Sequence, residues 1–244
     1  MIKLIRLSVN IDHVATLREA RGGDEPKPIL AALECEHLGV EGITFHLRKD
    51  RRHIQDYDVY LLKKLMNIDL NFEMATTEEM QKIAVDIKPE QCTLVPETLE
   101  ERTTQGGLDI IKNKDLLKNF IPPLKESGIK VSIFIDSDET GETLKVAKEV
   151  GADRVELHTG PFAEASNKKD REEKFTNLQK SALFADKYGL ELNAGHSLNF
   201  KNLKKIKILK NLREVSIGHN IWARALFIGL ENAIKEIMDV LKEE

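Results

Sequence analysis

Apolar residues along the chain fall into short β-branched runs, separated by longer stretches in which apolar positions recur every three or four residues. The short runs have the length and composition of buried strands, and the longer stretches have the period of amphipathic helices. Strand and helix patterns alternate along the sequence. The eight predicted strands are LIRLSVNI, GITFH, DLNFEM, QCTLV, KVSIFI, RVELH, LELNA and EVSIG.

Three of the predicted helices end on a glycine, Gly39, Gly151 or Gly189, directly before the next strand. Glycine is the usual residue at this position because it adopts the left-handed backbone conformation without strain. The predicted helices are PILAALECEHLG, VYLLKKLM, TEEMQKIAVDI, KDLLKNFIPPLKESG, TLKVAKEVG, FTNLQKSALFADKYG, LKKIKILK and IWARALFIGLENAIKEIMDVLKEE.

Strict alternation indicates parallel strands, because a helix carries the chain back between successive strands. Eight such units in 244 residues favour an α/β fold with one closed (β/α)8 TIM barrel, extra helical segments and a single catalytic domain over 1–244. A doubly wound open sheet is the alternative. It is disfavoured because no GxGxxG motif follows the first strand.

Composition narrows the class of protein. The net charge of −4, the pI near 6.0 and an aromatic content of 5% differ from those of nucleic-acid binders. No window approaches the roughly 18 apolar residues that span a membrane, and the N-terminus lacks a signal-peptide core. We therefore expect a cytoplasmic protein with neither nucleic acid nor membrane as partner. Cys35 and Cys92 lack CxxC spacing and are expected to be inert buried thiols.

Histidines gather where the strands end. In parallel barrels the carboxyl ends of the strands form the active-site face. Six of the seven histidines fall at such an end or in the loop after it, whereas His37 lies in a helix pattern. This distribution predicts a shared site for proton transfer. The six are His13, His46, His53, His158, His196 and His219.

Two glutamates occupy similar positions. Glu73, in LNFEMA, alternates with Asn71 and lies where a strand meets its loop, and Glu156 has the same place in RVELHTG. A carboxylate in an apolar core would need a partner, so we predict that Glu73 faces the barrel mouth as a general acid or base with a raised pKa. The alternative is a carboxylate that only orients a histidine or arginine.

Glycines precede histidines after the last two strands, in NAGHS and SIGHN. Backbone N–H groups of these loops and a helix N-terminus commonly hold phosphate in such barrels. Gly195 and Gly218 therefore predict a phosphate site, although either is compatible with an ordinary turn.

The stretch FHLRKDRRH, 45–53, is strongly basic and follows the second strand. Arg18 and Arg21 are placed by the pattern in the neighbouring loop TLREARGGDEP, so a second anion site is predicted there. Arg48 and His53 are its expected ligands. The remaining cations, Lys49 with Arg51 or Arg52, are expected to face solvent or pair with Asp50 and Asp56.

Two negative observations limit the chemistry. No lysine ends a strand, which disfavours a Schiff-base aldolase, and no HxH or HExxH spacing indicates a metal site. We expect neither metal nor organic cofactor. Two alternatives stay open at this point: a metal-dependent phosphosugar epimerase or hydrolase, and a non-catalytic barrel that binds a phosphate ligand.

The combined motifs resemble a known family. VNIDHVATLREARG, GITFHLRKDRRHI, NFEMA, LVPE, TTQGGLD, VSIFIDSD, ELHTG, LNAGHSL and SIGHNI together are similar to pyridoxine 5′-phosphate synthases across the whole chain. The resemblance implies a cofactor-free barrel that assembles as a homo-octamer. It also implies condensation of 1-deoxy-D-xylulose 5-phosphate with 3-amino-2-oxopropyl phosphate, releasing phosphate and water.

The resemblance also implies roles for individual residues. His46 and Glu73 would be proton acceptors, His196 a proton donor, and Glu156 would support a transition state. The amino-ketone phosphate would meet Asn10, Arg21, Ser197, Gly218 and His219, and the deoxyxylulose phosphate would meet Asp12, His13, Arg48, His53 and Thr103. Many relatives have glycine where this chain has Ser197, and serine is expected to serve provided that its φ stays negative. The loop ERTTQGGLD is expected to close over the site.

Overall fold

The computed structural model describes residues 5–97 and 106–242. Its eight strands pair in chain order, all parallel, and β8 returns to β1 to close the barrel. The predicted barrel is therefore confirmed. The strands are β1 Arg6–Asn10, β2 Gly42–His46, β3 Asp69–Met74, β4 Gln91–Leu94, β5 Lys130–Ile135, β6 Arg154–His158, β7 Glu191–Gly195 and β8 Leu212–Ile217.

Eleven helices surround the barrel in the described part of the chain. Each predicted helix is present, and the segment predicted as one long C-terminal helix is divided at Gly229, whose φ is 79°. The helices are α1 Asp12–Arg21, α2 Pro28–His37, α3 Asp56–Leu65, α4 Glu78–Ile87, α5 Lys114–Glu126, α6 Glu142–Glu149, α7 Gly160–Ala163, α8 Lys168–Tyr188, α9 Leu203–Ile206, α10 His219–Ile228 and α11 Leu230–Lys242.

Helix α1 corrects one expectation, since the sequence pattern placed Arg18 and Arg21 in a loop. The helix buries Val14, Ala15 and Arg18. Arg18 is buried because its guanidinium forms a bidentate ion pair with Asp58, with both N–O distances 2.8 Å. A cation therefore occupies a position where periodicity analysis looks for an apolar residue, and the helix was missed.

Polar side chains line much of the barrel interior, unlike the aliphatic layers that fill many barrels of this class. Thr44 Oγ1 lies 2.7 Å from Ser8 Oγ and 3.2 Å from Ser216 Oγ, and Asn71 donates to Thr44 and accepts from Thr93. The alternate residues of the same strands face outward and form the core with the helices; Phe45 and Phe72, for example, stack at 5.3 Å. Hydrophobic packing thus lies outside the barrel, and its polar lumen leads up to the carboxyl-end face.

Candidate active site

The six predicted histidines form three close pairs at the carboxyl-end face. Ring centroids are 5.4 Å apart for His13 and His219, 6.3 Å for His46 and His53, and 4.8 Å for His158 and His196. Each of the first and third pairs joins residues from different strand ends, so the structure confirms that the histidines converge. His37 lies apart from them at the end of α2.

His46 has carboxylates on both sides of its ring. Its Nε2 lies 2.7 Å from Glu97 Oε1, and its Nδ1 lies 4.0 Å from Glu73 Oε2. The strand register explains the second distance, because His46 and Glu73 are direct neighbours on β2 and β3. The backbone N–H of His46 also donates to Asp12 Oδ1 at 2.8 Å. The imidazole is thus held at its ring and at its backbone.

Asn10 and Asp12 connect β1 to α1 through reciprocal hydrogen bonds. The Asn10 side chain donates to Asp12 Oδ2, and the Asp12 N–H donates to Asn10 Oδ1, both at 2.9 Å. Trp222 fixes the same point from α10, since its indole N–H donates to the Asn10 carbonyl at 2.7 Å. These contacts fix the start of α1, where His13 follows.

Gly218 allows β8 to approach this corner closely. A Cβ atom at Gly218 would lie 2.8 Å from His13 Cε1 and 3.0 Å from Asn10 Cβ. No side chain could occupy that space without moving His13 or Asn10. His219 follows as the first residue of α10, so free backbone N–H groups of that helix face the same region.

Glu73 and Glu156 both have raised pKa values. Burial, with the charges of Glu156 and Asp12 nearby, raises the pKa of Glu73 well above its usual range. Burial and the neighbouring Glu214 raise the pKa of Glu156 to about 8. The predicted raised pKa of Glu73 is confirmed, and Glu156 is a neutral hydrogen-bond donor near pH 7. Gly195 makes room for it, because a Cβ there would lie 2.1 Å from Glu156 Oε1.

Burial lowers the pKa of His13, His53 and His196, with neighbouring histidines adding to the effect. These rings are therefore largely neutral near pH 7. His53 Nδ1 accepts the Ile54 N–H at 2.8 Å, which leaves its Nε2–H able to donate to a ligand. The Nδ1 of His13 is buried and has no hydrogen-bond partner among the described residues.

The loop after β7 holds His196 and Ser197, both with positive φ, 78° and 56°. The condition set for Ser197, a negative φ, is therefore not met. Thr159 fixes the bend, since its backbone N–H and hydroxyl both donate to the Gly195 carbonyl, at 2.9 and 2.8 Å. The Ser197 hydroxyl donates to Glu164 at 2.7 Å. A conformation that favours glycine is thus imposed on two residues with side chains.

The basic stretch after β2 divides as expected. Arg48 is buried, with Nε 3.5 Å from Asp50 Oδ1, whereas Arg51 pairs with Asp56 and Glu79, and Arg52 pairs with Asp50. Lys49 is exposed. The predicted pairing of the remaining cations with Asp50 and Asp56 is therefore confirmed, and the ligand role of Arg48 and His53 stays a prediction.

One predicted ligand, Arg21, is not brought into this cluster. Arg21 is exposed in the last turn of α1, nine residues beyond Asp12, which corresponds to about 13 Å along a helix. Arg18, of the same predicted loop, is engaged with Asp58 and the His53 carbonyl. Thr103 and most of the ERTTQGGLD loop lie outside the described residues.

Sequence reasoning missed two carboxylates that hold histidines. Glu97 binds His46, and Asp136 Oδ1 lies 2.8 Å from His158 Nδ1. The hydrogen bond from His158 holds the pKa of Asp136 below its usual value. Asp136 directly follows the predicted strand KVSIFI, and Glu97 comes two residues after the predicted strand QCTLV. Their position near a strand end was the signal that the sequence offered.

Asp12, His46 and Glu73 offer ligand atoms within 4.8 Å of one another and are the one group of three such residues found in the described part of the chain. A divalent cation would accept this donor set, although two carboxylates and one imidazole leave most positions to water. No helix of the described residues is long and apolar enough to cross a membrane.

Comparisons with known proteins agree with the geometry. The family model "Pyridoxal phosphate biosynthesis protein PdxJ" matches residues 7–243. The pyridoxine 5′-phosphate synthase of Geotalea daltonii is 47% identical over 98% of this chain and 99% of its own length. That of Aquifex aeolicus is 46% identical over 98% and 100%.

Solved structures share the fold alone. KGPDC from Streptococcus mutans has a TM-score of 0.67 at 13% identity, covering 98% of both chains. A 3-hexulose-6-phosphate synthase has a TM-score of 0.67 at 11% identity, covering 97% of this chain and 99% of its own. The family match and the full-length relatives are decisive: the chain belongs to the PdxJ family of pyridoxal phosphate biosynthesis proteins.

Proposed function

We propose that this chain condenses 1-deoxy-D-xylulose 5-phosphate with 3-amino-2-oxopropyl phosphate, forming pyridoxine 5′-phosphate and releasing phosphate and water. The observation that carries the proposal is the cluster of six histidines and two raised-pKa glutamates at one face of the barrel. Ring closure needs several proton transfers, and positioned acid/base groups accelerate each by about 10²–10⁴-fold.

His46 and Glu73 are the proposed proton acceptors. They lie side by side, 4.0 Å apart, and His46 is only 4% exposed. Because water is excluded from these groups, they exchange protons with the substrate and not with solvent. The same exclusion of water protects reactive enols and imines from hydrolysis. The raised pKa of Glu73 means that it holds a proton more firmly than an ordinary carboxyl group, and His46 is the neighbouring group able to exchange that proton.

His196 and Glu156 are the proposed donors. The lowered pKa of His196 makes it a stronger acid once protonated, which suits delivery of a proton to a leaving hydroxyl or phosphate. Glu156 is neutral near pH 7 and therefore able to donate a hydrogen bond to negative charge that develops in a transition state.

The two phosphorylated substrates are assigned to two sides of the mouth. We place the amino-ketone phosphate on the β7 and β8 loops, where α10 begins, and the deoxyxylulose phosphate beside buried Arg48 and half-buried His53. Proposed ligands of the first are Asn10, Arg21, Ser197, Gly218 and His219, and proposed ligands of the second are Asp12, His13, Arg48, His53 and Thr103. Arg21 would need to reach inward from the far end of α1.

A homo-octamer in the cytoplasm remains our prediction from the family resemblance. Adjacent Leu226 and Phe227 at the end of α10 are 79% and 85% exposed, while α11 packs on its own barrel through Ile234 and Ile237. Exposed apolar pairs of this size favour contact between copies of the chain.

The test of the proposed function is an assay with both substrates. Purified protein should form pyridoxine 5′-phosphate, followed by its absorbance, and release one inorganic phosphate per product. Reactions lacking either substrate are the controls and should form none. Absence of product with both substrates present would refute the proposal.

A further inference from the structure

We infer that Glu97 is a positioning residue of the reaction, which holds His46 so that Nδ1 rather than Nε2 is the nitrogen that exchanges protons with substrate. The inference rests on the proposed role of His46 as a proton acceptor. Glu97 lies three residues beyond the end of β4 and does not need to touch substrate to act.

Both oxygens of Glu97 are engaged by the chain around His46. Oε1 lies 2.7 Å from His46 Nε2, and Oε2 accepts the Lys49 backbone N–H at 3.1 Å. The Glu97 side chain is 2% exposed. Two hydrogen bonds to one buried carboxylate fix its rotamer, so the acceptor presented to His46 has a single position.

The His46 ring cannot easily turn away from this acceptor. Its backbone N–H is held by Asp12 Oδ1 at 2.8 Å, and its side chain is 5% exposed. His53 packs edge-on against the ring, with centroids 6.3 Å apart. The imidazole therefore has one orientation, with Nε2 toward Glu97 and Nδ1 toward Glu73.

This orientation decides the tautomer. Burial alone would raise the pKa of Glu97, but the His46 hydrogen bond and charge, the Lys49 N–H and the Arg48 charge hold it below its usual value. An ionised carboxylate only accepts hydrogen bonds, so Nε2 must carry the hydrogen. The lone pair of the neutral ring is then on Nδ1, 4.0 Å from Glu73 Oε2.

The proton transfer follows directly. A substrate C–H or O–H bond breaks, its proton binds Nδ1, and the electron pair stays on the substrate. Glu97 keeps its charge and stabilises the imidazolium through Nε2–H, as the carboxylate does in a Ser-His-Asp triad. The proton then leaves Nδ1 for a later intermediate, directly or through an ionised Glu73 that passes it on, and this transfer returns both groups to their starting state.

The tautomer of His46 is measurable by NMR in the absence of substrates. In protein labelled with ¹⁵N at histidine, long-range ¹H–¹⁵N correlations distinguish Nε2–H from Nδ1–H rings, and the His46 signal is assigned by its loss in His46→Gln. We expect the Nε2–H form at high pH in the parent. Glu97→Ala should give mixed tautomers, and Glu97→Gln should weaken the preference, because its amide is able to donate as well as accept.

Steady-state kinetics provide the second readout. Glu97→Ala should lower kcat by about 10²- to 10⁴-fold and leave the KM for both phosphates within about threefold, because His46 is misoriented and binding groups are untouched. Glu97→Gln, which keeps the size of the side chain, is the second variant to measure if Glu97→Ala does not fold.

Glu90→Gln is the matched control. Glu90 precedes the other end of β4, and its oxygens likewise engage a backbone N–H, that of Leu70, and a side chain, that of Lys63. Its substitution should leave the His46 tautomer and kcat unchanged. An Nδ1–H ring in the parent, or an unchanged tautomer and kcat in Glu97→Ala, would overturn the inference. A parent with the expected tautomer but no product would instead count against the proposed function.

Discussion

At the residue scale, substitution of a proton-transfer residue and substitution of a phosphate-binding residue should affect different kinetic constants. His196→Ala should lower kcat by about 10²–10⁴-fold with little change in KM, because the donor acts only in the transition state. Arg48→Ala should mainly raise the KM for deoxyxylulose phosphate, because a buried cation is lost from its site. Steady-state kinetics with each substrate varied in turn measure both, and equal effects on kcat and KM in both variants would contradict the assigned roles.

Glu156 should make stability depend on pH. Its native pKa of about 8 lies above the usual carboxyl value near 4.5, so the native state keeps a proton that the unfolded state releases. Its contribution to the free energy of unfolding therefore falls as pH rises from about 4.5 to 8 and is constant above that range.

Glu156→Gln removes this titration and leaves a neutral side chain of the same shape. The variant should gain stability relative to the parent between pH 5 and pH 8, measured by urea denaturation at both values. Buried Glu214, whose pKa burial also raises, remains in both proteins; because it interacts with Glu156, the measured difference belongs to the titration of the pair. A constant difference between the two proteins at both pH values would mean that Glu156 is ionised in the native state.

The protein should be less stable with alanine than with glycine at position 197. Its φ of 56° favours glycine, and alanine loses the hydrogen bond to Glu164 while keeping the backbone strain. We expect Ser197→Ala to be about 1 kcal/mol less stable than Ser197→Gly. Thermal denaturation of the two variants measures the difference, and equal stability would show that the left-handed conformation carries no cost here.

At the scale of elements, the buried pair Arg18–Asp58 joins α1 to the first turn of α3. Asp58→Asn would leave the Arg18 guanidinium, 2% exposed, with only the more exposed Glu19 as its counter-charge and should cost up to about 3–5 kcal/mol. The pair Arg51–Asp56, with Asp56 50% exposed, has a similar bidentate geometry and is the matched control. Asp56→Asn should cost about 0–1 kcal/mol. Similar losses in urea denaturation would contradict the role of burial.

The elements themselves were largely predictable from the sequence. Strands such as GITFH and KVSIFI are rich in apolar and β-branched residues, with a polar residue at or directly after their end, so their bounds were visible. Helix α1 was not, because its buried face includes Arg18. The four-residue α7 was also missed, since one turn of helix shows no periodicity. The division of the last helix at Gly229 depends on a single glycine.

Site residues that lie at the ends of predicted strands were predictable from the sequence. The residues that hold them in place were less predictable, because they come from other strands. His46 and Glu73 were found by position, yet the contact of Glu97 with His46 depends on the segment after β4 reaching past the end of β3 to the end of β2. The left-handed conformation at Ser197 likewise arises from the Thr159 contacts with the β7 end, which the local sequence does not show.

At the scale of the whole molecule, the barrel has two functional layers. Polar side chains such as Thr44 and Asn71 fill its lumen, and the histidine pairs and their carboxylates lie above them at the carboxyl-end face. Apolar packing is confined to the shell between strands and helices, where Phe45 and Phe72 stack.

The central claim is that side chains of this mouth perform the proton transfers without a metal ion at Asp12, His46 and Glu73. The most direct test measures product formation by chelator-treated enzyme with both phosphates, for the parent and for His46→Gln and Glu73→Gln. The account predicts an unchanged parent rate and losses of about 10²–10⁴-fold in each variant. A parent that loses its activity on chelation and regains it when a divalent metal is restored would contradict the account.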